Sequence, residues 1–203
     1  MTVTTPKQAR ARQTFDNILD ASAVLLMEEG IEGLNTNEVA RQAGVNISTL
    51  YRYFDDKYDL VEGLLTRLAQ FQLDKIAEKM EHFDEPRERL DHILELQLQI
   101  IHQHPWLGAA QHAMRAAPQL RKIRDANREY IGASIIEQLG RRGKNVRGPF
   151  DLGKRQAAAT QMLVEIFGSG LTVVADAPKG QRPALLDELK VLLNAYLDTM
   201  NPP

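Results

Sequence analysis

The stretch GIEGLNTNEVARQAGVNISTLYRYFDDK, residues 30–57, decides how the chain folds. Gly30 and Gly33 offer two positions that tolerate positive φ, which ends a preceding helix in a tight connection. Asn35 then caps the next amides, and Glu38 three residues on completes an Asn-x-x-Glu capping box. The helix so started runs only from Thr36 to Ala43, because Gly44 breaks it; Asn46 caps a second short helix from Ile47 to Tyr53. After Phe54, Asp55 and Asp56 suit the positive end of a further helix. Two short helices sharing one turn have helix-turn-helix spacing. Val39, Ala40, Ala43, Val45, Leu50 and Phe54 fall on inward positions. Ile47, Ser48, Tyr51 and Arg52 are left for a major groove about 12 Å wide, with Thr36, Thr49, Tyr53 and Lys57 near phosphates.

Outward from this stretch the apolar period stays helical. Phe15, Ile18, Leu19, Ser22, Leu25 and Leu26 recur at three- and four-residue steps, a stripe on a helix from about Gln8 to Glu29. Leu60, Leu64, Leu65, Leu68, Phe71, Ile76 and Met80 mark a long helix from Lys57 to about Glu81. Pro86 suits the first turn of another, whose Leu90, Ile93, Leu94, Leu96, Leu98, Ile100 and Ile101 predict a helix enclosed on most sides. His104-Pro105 ends it. Further helices are expected near Trp106 to Ala116, Pro118 to Leu139, Gly153 to Ala175 and Pro183 to Met200, with a Gly/Arg/Lys loop from Gly140 to Pro149. Leu171-Thr172-Val173-Val174 has strand composition but continues a stripe from Met162, Ile166 and Phe167, so it reads as helix. The fold class is all-α: an N-terminal three-helix module over residues 1–57 and a helical bundle over 58–203.

Composition narrows the function. The chain has 203 residues, 43% hydrophobic and 26% charged, with net charge -2. The absence of cysteine removes disulfides, iron–sulfur clusters, thiolate zinc sites and cysteine nucleophiles. No apolar run approaches the ~18 residues of a membrane span, and the polar start carrying Lys7, Arg10 and Arg12 lacks a signal-peptide core, so the expected location is the cytoplasm. His102, His104 and His112 lack convergent partners at metal-ligand spacing, so no metal and no cofactor are assigned. No nucleophile elbow, phosphate-binding glycine loop or His-Glu-x-x-His helix is present, and the chain does not read as an enzyme.

The ordered pattern Gly30-Ile31-Glu32-Gly33-Leu34-Asn35-Thr36, Val39-Ala40-x-x-Ala43-Gly44-Val45 and Thr49-Leu50-Tyr51-Arg52-Tyr53-Phe54-Asp55-Asp56-Lys57 resembles the N-terminal domain of TetR-family transcriptional regulators, over about Arg12 to Leu65. The resemblance implies a homodimer with a three-helix DNA-binding domain and a larger helical ligand-binding body, usually acting by repression that a small molecule relieves. Carried over by position, it puts Ile47, Ser48 and Tyr51 at bases and Thr36, Thr49, Tyr53 and Lys57 at phosphates, with Asn46 at the head of the recognition helix. Arg52 either pairs with a guanine or lies on a phosphate or in solvent. The family often has serine at position 46, glycine at 48 and histidine at 53, where this chain has Asn46, Ser48 and Tyr53.

Charge speaks less clearly. From Gln13 to Lys57, three cations (Arg41, Arg52, Lys57) face eight acids (Asp16, Asp20, Glu28, Glu29, Glu32, Glu38, Asp55, Asp56), net -5. Phosphate binding must then use an arm carrying Lys7, Arg10 and Arg12, together with helix N-termini and hydroxyls. A dimer with two recognition helices one DNA turn apart compensates for weak monomer binding and calls for a near-palindromic operator. Arg115, Arg121, Lys122, Arg124, Arg128, Arg141, Arg142, Lys144 and Arg147 form a second basic region, read as a solvated face and loop, with a nucleic-acid surface or an anionic ligand as alternatives.

Phe71, Leu98, Ile101, Trp106, Met114, Tyr130, Phe167 and Leu171 are the candidates for an effector pocket. Glu95 and Glu165 sit in apolar stretches and call for a cationic partner or an exposed position. Met162, Ile166, Gly170 and Val174 form one stripe, and Leu185, Leu189, Leu192 and Tyr196 another; both are assigned to an isologous dimer interface. The expected function is a dimeric repressor released from double-stranded operator DNA by a small hydrophobic or amphipathic effector. The alternatives are a small-molecule binding or sequestering protein and a ligand-independent activator or architectural DNA-binding protein.

Overall fold

The computed structural model describes residues 6–80, 83, 85–126, 129, 130, 133 and 156–200, and every regular element among them is helical. In chain order the helices are α1 (Ala9–Gly33), α2 (Thr36–Gln42), α3 (Ile47–Leu50), α4 (Lys57–Met80), α5 (Pro86–Gln103), α6 (Trp106–Ala116), α7 (Gln156–Asp176) and α8 (Arg182–Met200). A 3-10 turn at Pro118–Leu120 leads into helical residues at 121–126, 129, 130 and 133. The chain forms two compact units: Met1–Leu73 with His104–Arg124, and Asp74–Gln103 with Asp125–Pro203. No helix among the described residues is long and apolar enough to cross a membrane.

In the first unit, α1 is the organising element. Its expected stripe is buried throughout, from Phe15 to Leu26, and the one polar member, Ser22, donates its hydroxyl to the Ile18 carbonyl at 2.7 Å. α2 and α6 both pack against α1. Arg67 of α4 reaches the Asp20 carboxylate at 2.8 Å and the Asp16 carbonyl at 3.4 Å. Gly63 of α4 lies so close to Leu19 and Phe54 that an added Cβ would meet each at 2.9 Å.

In the second unit, α5 packs against both α7 and α8. Its buried Leu90, Ile93, Leu94, Leu96 and Ile100 lie on more than one side, as an enclosed helix requires. α7 packs on α8, with Leu163, Phe167, Leu171 and Val174 buried on one and Leu189, Leu193 and Leu197 on the other. Polar ties surround this core: Lys190 to Glu95 at 2.8 Å, Arg87 to Asp198 at 2.5 Å and the Asn194 amide to Asp91 at 3.3 Å. His102 places Nδ1 2.7 Å from the Leu98 carbonyl, which can only accept. Nδ1 therefore carries the proton, and Nε2 accepts from Arg182 at 2.6 Å.

Several expectations are corrected. Gly30, at φ 65 and ψ -175, breaks the helix within the span of α1 as expected, whereas Gly33 has no positive φ; one positive-φ position suffices for the break. Asn35 caps α2 by accepting from the Asn37 amide, but Glu38 makes no capping box, because Arg41 one turn on holds its carboxylate. α3 ends at Leu50 rather than Tyr53, and the chain continues as a turn in which Arg52 bonds Thr49 and Tyr53 bonds Leu50. Phe71, expected on the apolar face of α4, is 42% exposed. Most of the helix expected from Pro118 to Leu139 beyond Tyr130, and the basic loop from Gly140 to Pro149, lie outside the described residues.

Candidate nucleic-acid interface

The helix-turn-helix is built from its inner face. Val39, Ala40, Leu50 and Phe54 are buried, while Ala43 and Val45 are half-buried at the turn. Gly44, at φ 68, allows that turn: its amide bonds the Arg41 carbonyl at 3.2 Å, and the Val45 amide bonds Ala40 at 3.0 Å. Phe54 stacks on Phe15 at 5.0 Å, and Tyr53 meets the same ring edge-on at 5.9 Å. The end of the recognition segment is thus fixed to α1, and its other side turns outward.

The outward residues have distinct states. Asn46 caps α3, its Oδ1 accepting from both the amide and the hydroxyl of Ser48 at 2.9 Å, so its side-chain oxygen is committed within the protein. Ser48, Tyr51 and Arg52 are exposed; Ile47 and Thr49 are half-buried. The Tyr51 hydroxyl is 3.0 Å from the Thr36 hydroxyl, a bridge from the end of α3 to the start of α2. The Arg52 guanidinium lies 5.9 Å from the centre of the Tyr53 ring. Half-buried Tyr53 thus lies in edge contact with Phe15 and has an arginine beside it. Lys57 donates to the Glu32 carbonyl at 3.3 Å, which ties the start of α4 to the end of α1.

Lys7, Arg10 and Arg12 are exposed, but only Lys7 precedes the first helix; Arg10 and Arg12 stand in the first turns of α1. That helix has no side-chain cap and no acid in its first turn. The positive end of the helix dipole is therefore not offset by an acidic side chain there.

The effector candidates fall on both units. Phe71, Trp106 and Met114 belong to the first; Leu98, Ile101, Tyr130, Phe167 and Leu171 to the second. His104 lies between Phe71, at 6.1 Å, and Trp106, at 6.0 Å, and its imidazole is held below the ordinary histidine range by burial and by the nearby Arg67. Trp106, Met114, Phe167 and Leu171 are buried, Leu98 and Ile101 half-buried, and Tyr130 exposed. A groove of about 460 Å³ in the second unit is lined by none of these, but by polar residues of α5 and α8 such as Asp91, Asp187, Lys190 and Asn194. No group of three potential metal ligands occurs among the described residues.

The stripes assigned to dimerisation divide in two. Val174 and Leu189 are buried within the chain, and a Cβ on Gly170 would lie 2.4 Å from Leu189, so these three serve the packing of α7 on α8. Met162, Ile166 and Leu192 are exposed, and Leu185 and Tyr196 half-buried. Val173 and Val191, absent from the sequence assignment, are 58% and 62% exposed. Val173 stands seven residues after Ile166, a helical step that marks it as a member of the same stripe. Glu95 finds its cationic partner in Lys190.

The comparisons with known proteins agree with this architecture. The chain is 27% identical to the nucleoid occlusion factor SlmA of Vibrio campbellii across 190 residues, 90% of this chain and 94% of that one. It is 33% identical to the HTH-type transcriptional repressor BepR of Brucella suis biovar 1 across 88 residues, 43% of this chain and 41% of that one. Among solved structures, a SmeT–triclosan complex superposes with a TM-score of 0.62 at 18% identity, covering 92% of this chain and 90% of that one. Residues 18–64 match the model of bacterial regulatory proteins of the tetR family, and residues 84–201 match the tetracyclin repressor-like C-terminal domain. With the second match alone spanning more than half its length, the chain belongs to the TetR family of DNA-binding transcriptional regulators.

Proposed function

We propose that the protein is a homodimeric repressor whose α3 enters the major groove of a near-palindromic operator and leaves it when a small hydrophobic or amphipathic molecule binds the helical body. Residues 1–57 are the DNA-binding module and 58–203 carry ligand binding and dimerisation. The observation that carries this reading is the two-sidedness of the helix-turn-helix: Val39, Ala40, Leu50 and Phe54 are buried, whereas Ser48, Tyr51 and Arg52 project outward around a capped helix start. Such a segment fits a groove by shape and presents hydroxyls and one guanidinium to it.

In this reading Ile47, Ser48 and Tyr51 face bases. Thr49, Tyr53 and Lys57 lie along phosphates with Lys7, Arg10 and Arg12, and Thr36, the first residue of α2, stands beside Tyr51. Exposed Met162, Ile166 and Leu192, with Val173 added, give the dimer its apolar contact. The relative named an HTH-type transcriptional repressor and the SmeT structure solved with triclosan support repression and a small amphipathic effector. A coupling of ~1 to 3 kcal/mol between effector and operator suffices for a useful switch. No reaction is assigned to the chain, and its place is the cytoplasm, with the DNA.

The test is gel retardation of the DNA preceding the gene, with and without amphipathic aromatic compounds. Repression predicts a sequence-dependent shift that one class of compound reverses. A second reading, an architectural DNA-binding protein, is favoured by the near full-length match to a nucleoid occlusion factor. It predicts binding at many chromosomal sites that no added compound reverses.

A further inference from the structure

We infer that Thr36 is a positioning residue that acts on DNA through Tyr51 rather than as a separate phosphate contact. The inference rests on the reading that α3 enters a DNA groove. The Tyr51 phenol is 48% exposed at the end of a recognition helix only four residues long, so little of the helix itself steers it. Its hydroxyl lies 3.0 Å from that of Thr36, fifteen residues earlier and the first residue of α2.

Both ends of this bridge stand on fixed backbone. Asn35 caps α2 immediately before Thr36, and Asn46 caps α3, whose Tyr51 amide bonds the Ile47 carbonyl at 3.1 Å. The bridge therefore holds the phenol in one orientation before any duplex arrives, which removes part of the ordering that binding would otherwise require.

Each hydroxyl has one proton and two lone pairs. Whichever of the two donates to the other, the pair retains a single O–H to turn outward. A hydroxyl that already accepts one hydrogen bond is also the better donor, because bonded hydroxyls polarise each other. When Thr36 donates to Tyr51, the phenol offers one oriented, strengthened donor to an acceptor on the duplex. Thr36 and Tyr51 then form one recognition element with a single outward proton, so the two hydroxyls cannot each donate to the duplex.

A double-mutant cycle on the full-length protein tests this, using the duplex that the wild type selects from random sequence and an unselected duplex of equal length. Thr36→Val removes the hydroxyl at nearly constant shape, and Tyr51→Phe removes its partner. Each single variant is expected to lose about 3- to 10-fold in affinity for the selected duplex, the weight of one neutral hydrogen bond. Thr36→Val in the Tyr51→Phe background should lose less than about twofold more, since the coupled term is already gone. Thr36→Ser should restore affinity to within about twofold of wild type, with the melting temperature unchanged across the set. Losses that multiply, a Thr36→Val variant equal to wild type, or a serine variant that fails to recover would overturn the inference. Failure of the wild type to select any sequence would instead overturn the DNA-groove reading on which it stands.

Discussion

Phe15 and Phe54 stack with ring centroids 5.0 Å apart and planes 24° apart, joining the first helix directly to the residue that closes the recognition segment. Phe54 is 1% exposed and also touches the backbone-tight position of Gly63. This aromatic contact in the core of the small N-terminal module anchors the end of the recognition segment that carries the outward residues.

Phe54→Ala should therefore destabilise the first unit by about 3 to 5 kcal/mol, the usual range for removing a buried aromatic ring. Urea unfolding measures it. A loss below about 1 kcal/mol would mean that the ring does not anchor the segment.

Gly30 and Gly44 hold the two positive-φ positions among the described residues, and neither has an atom within 4 Å of where a Cβ would stand. Substitution at either is therefore a test of backbone conformation alone. Gly44→Ala is expected to cost about 1 to 2 kcal/mol. Gly30→Ala should cost about 1 to 3 kcal/mol, since its ψ of -175 places it in a region that only glycine populates readily. Thermal melting that is unchanged for both would contradict the turn geometry.

Much of this geometry was legible in the residue order. The stripe from Phe15 to Leu26, the two Asn caps, the Gly44 break and the ends of α6 follow from period and capping chemistry, which are local. What the sequence misplaced depends on tertiary choices. Glu38 serves Arg41 instead of the helix start, because an arginine one turn away offers a charged partner. Phe71 matches the apolar period of α4 but is 42% exposed, as period shows which side a residue is on and not where packing stops. Gly170, Val174 and Leu189 fit a self-complementary stripe yet pack α7 on α8, since an apolar helix face carries no mark telling its own chain from a second copy.

That distinction gives a paired experiment. Leu192 is 62% exposed on α8 while Leu189 is 5% exposed three residues earlier. Leu192→Asp should yield a folded monomer by light scattering, whereas Leu189→Asp should unfold the second unit by circular dichroism. A Leu192→Asp variant that remains dimeric at micromolar concentration would remove this helix face from the interface.

Lys57 donates to the Glu32 carbonyl at the end of α1 and stands at the first residue of α4. Lys57→Ala should weaken binding to all duplexes alike and lower the slope of log affinity against log salt by about one. A loss confined to one base position would contradict a phosphate role.

His104 supplies a pH dependence with a definite sign. Burial first, and Arg67 second, lower its pKa below the ordinary value of 6.5. The unfolded chain therefore takes up the proton more readily than the folded one. The full stability is present above about pH 6.5 and declines as pH falls from there through the lower folded-state value. His104→Gln should flatten that decline in melts between pH 7.5 and 5. An identical profile in the variant would assign the acid sensitivity to other groups.

The most direct measurement is a selection from random duplexes with the wild-type protein, followed by the same selection with Tyr51→Ala. The wild type is expected to enrich a twofold-symmetric sequence whose half-sites lie one DNA turn, ~34 to 36 Å, apart, and the folded, dimeric variant to enrich none. A wild type that enriches nothing, or a variant that enriches the same sequence, would contradict the DNA-groove reading.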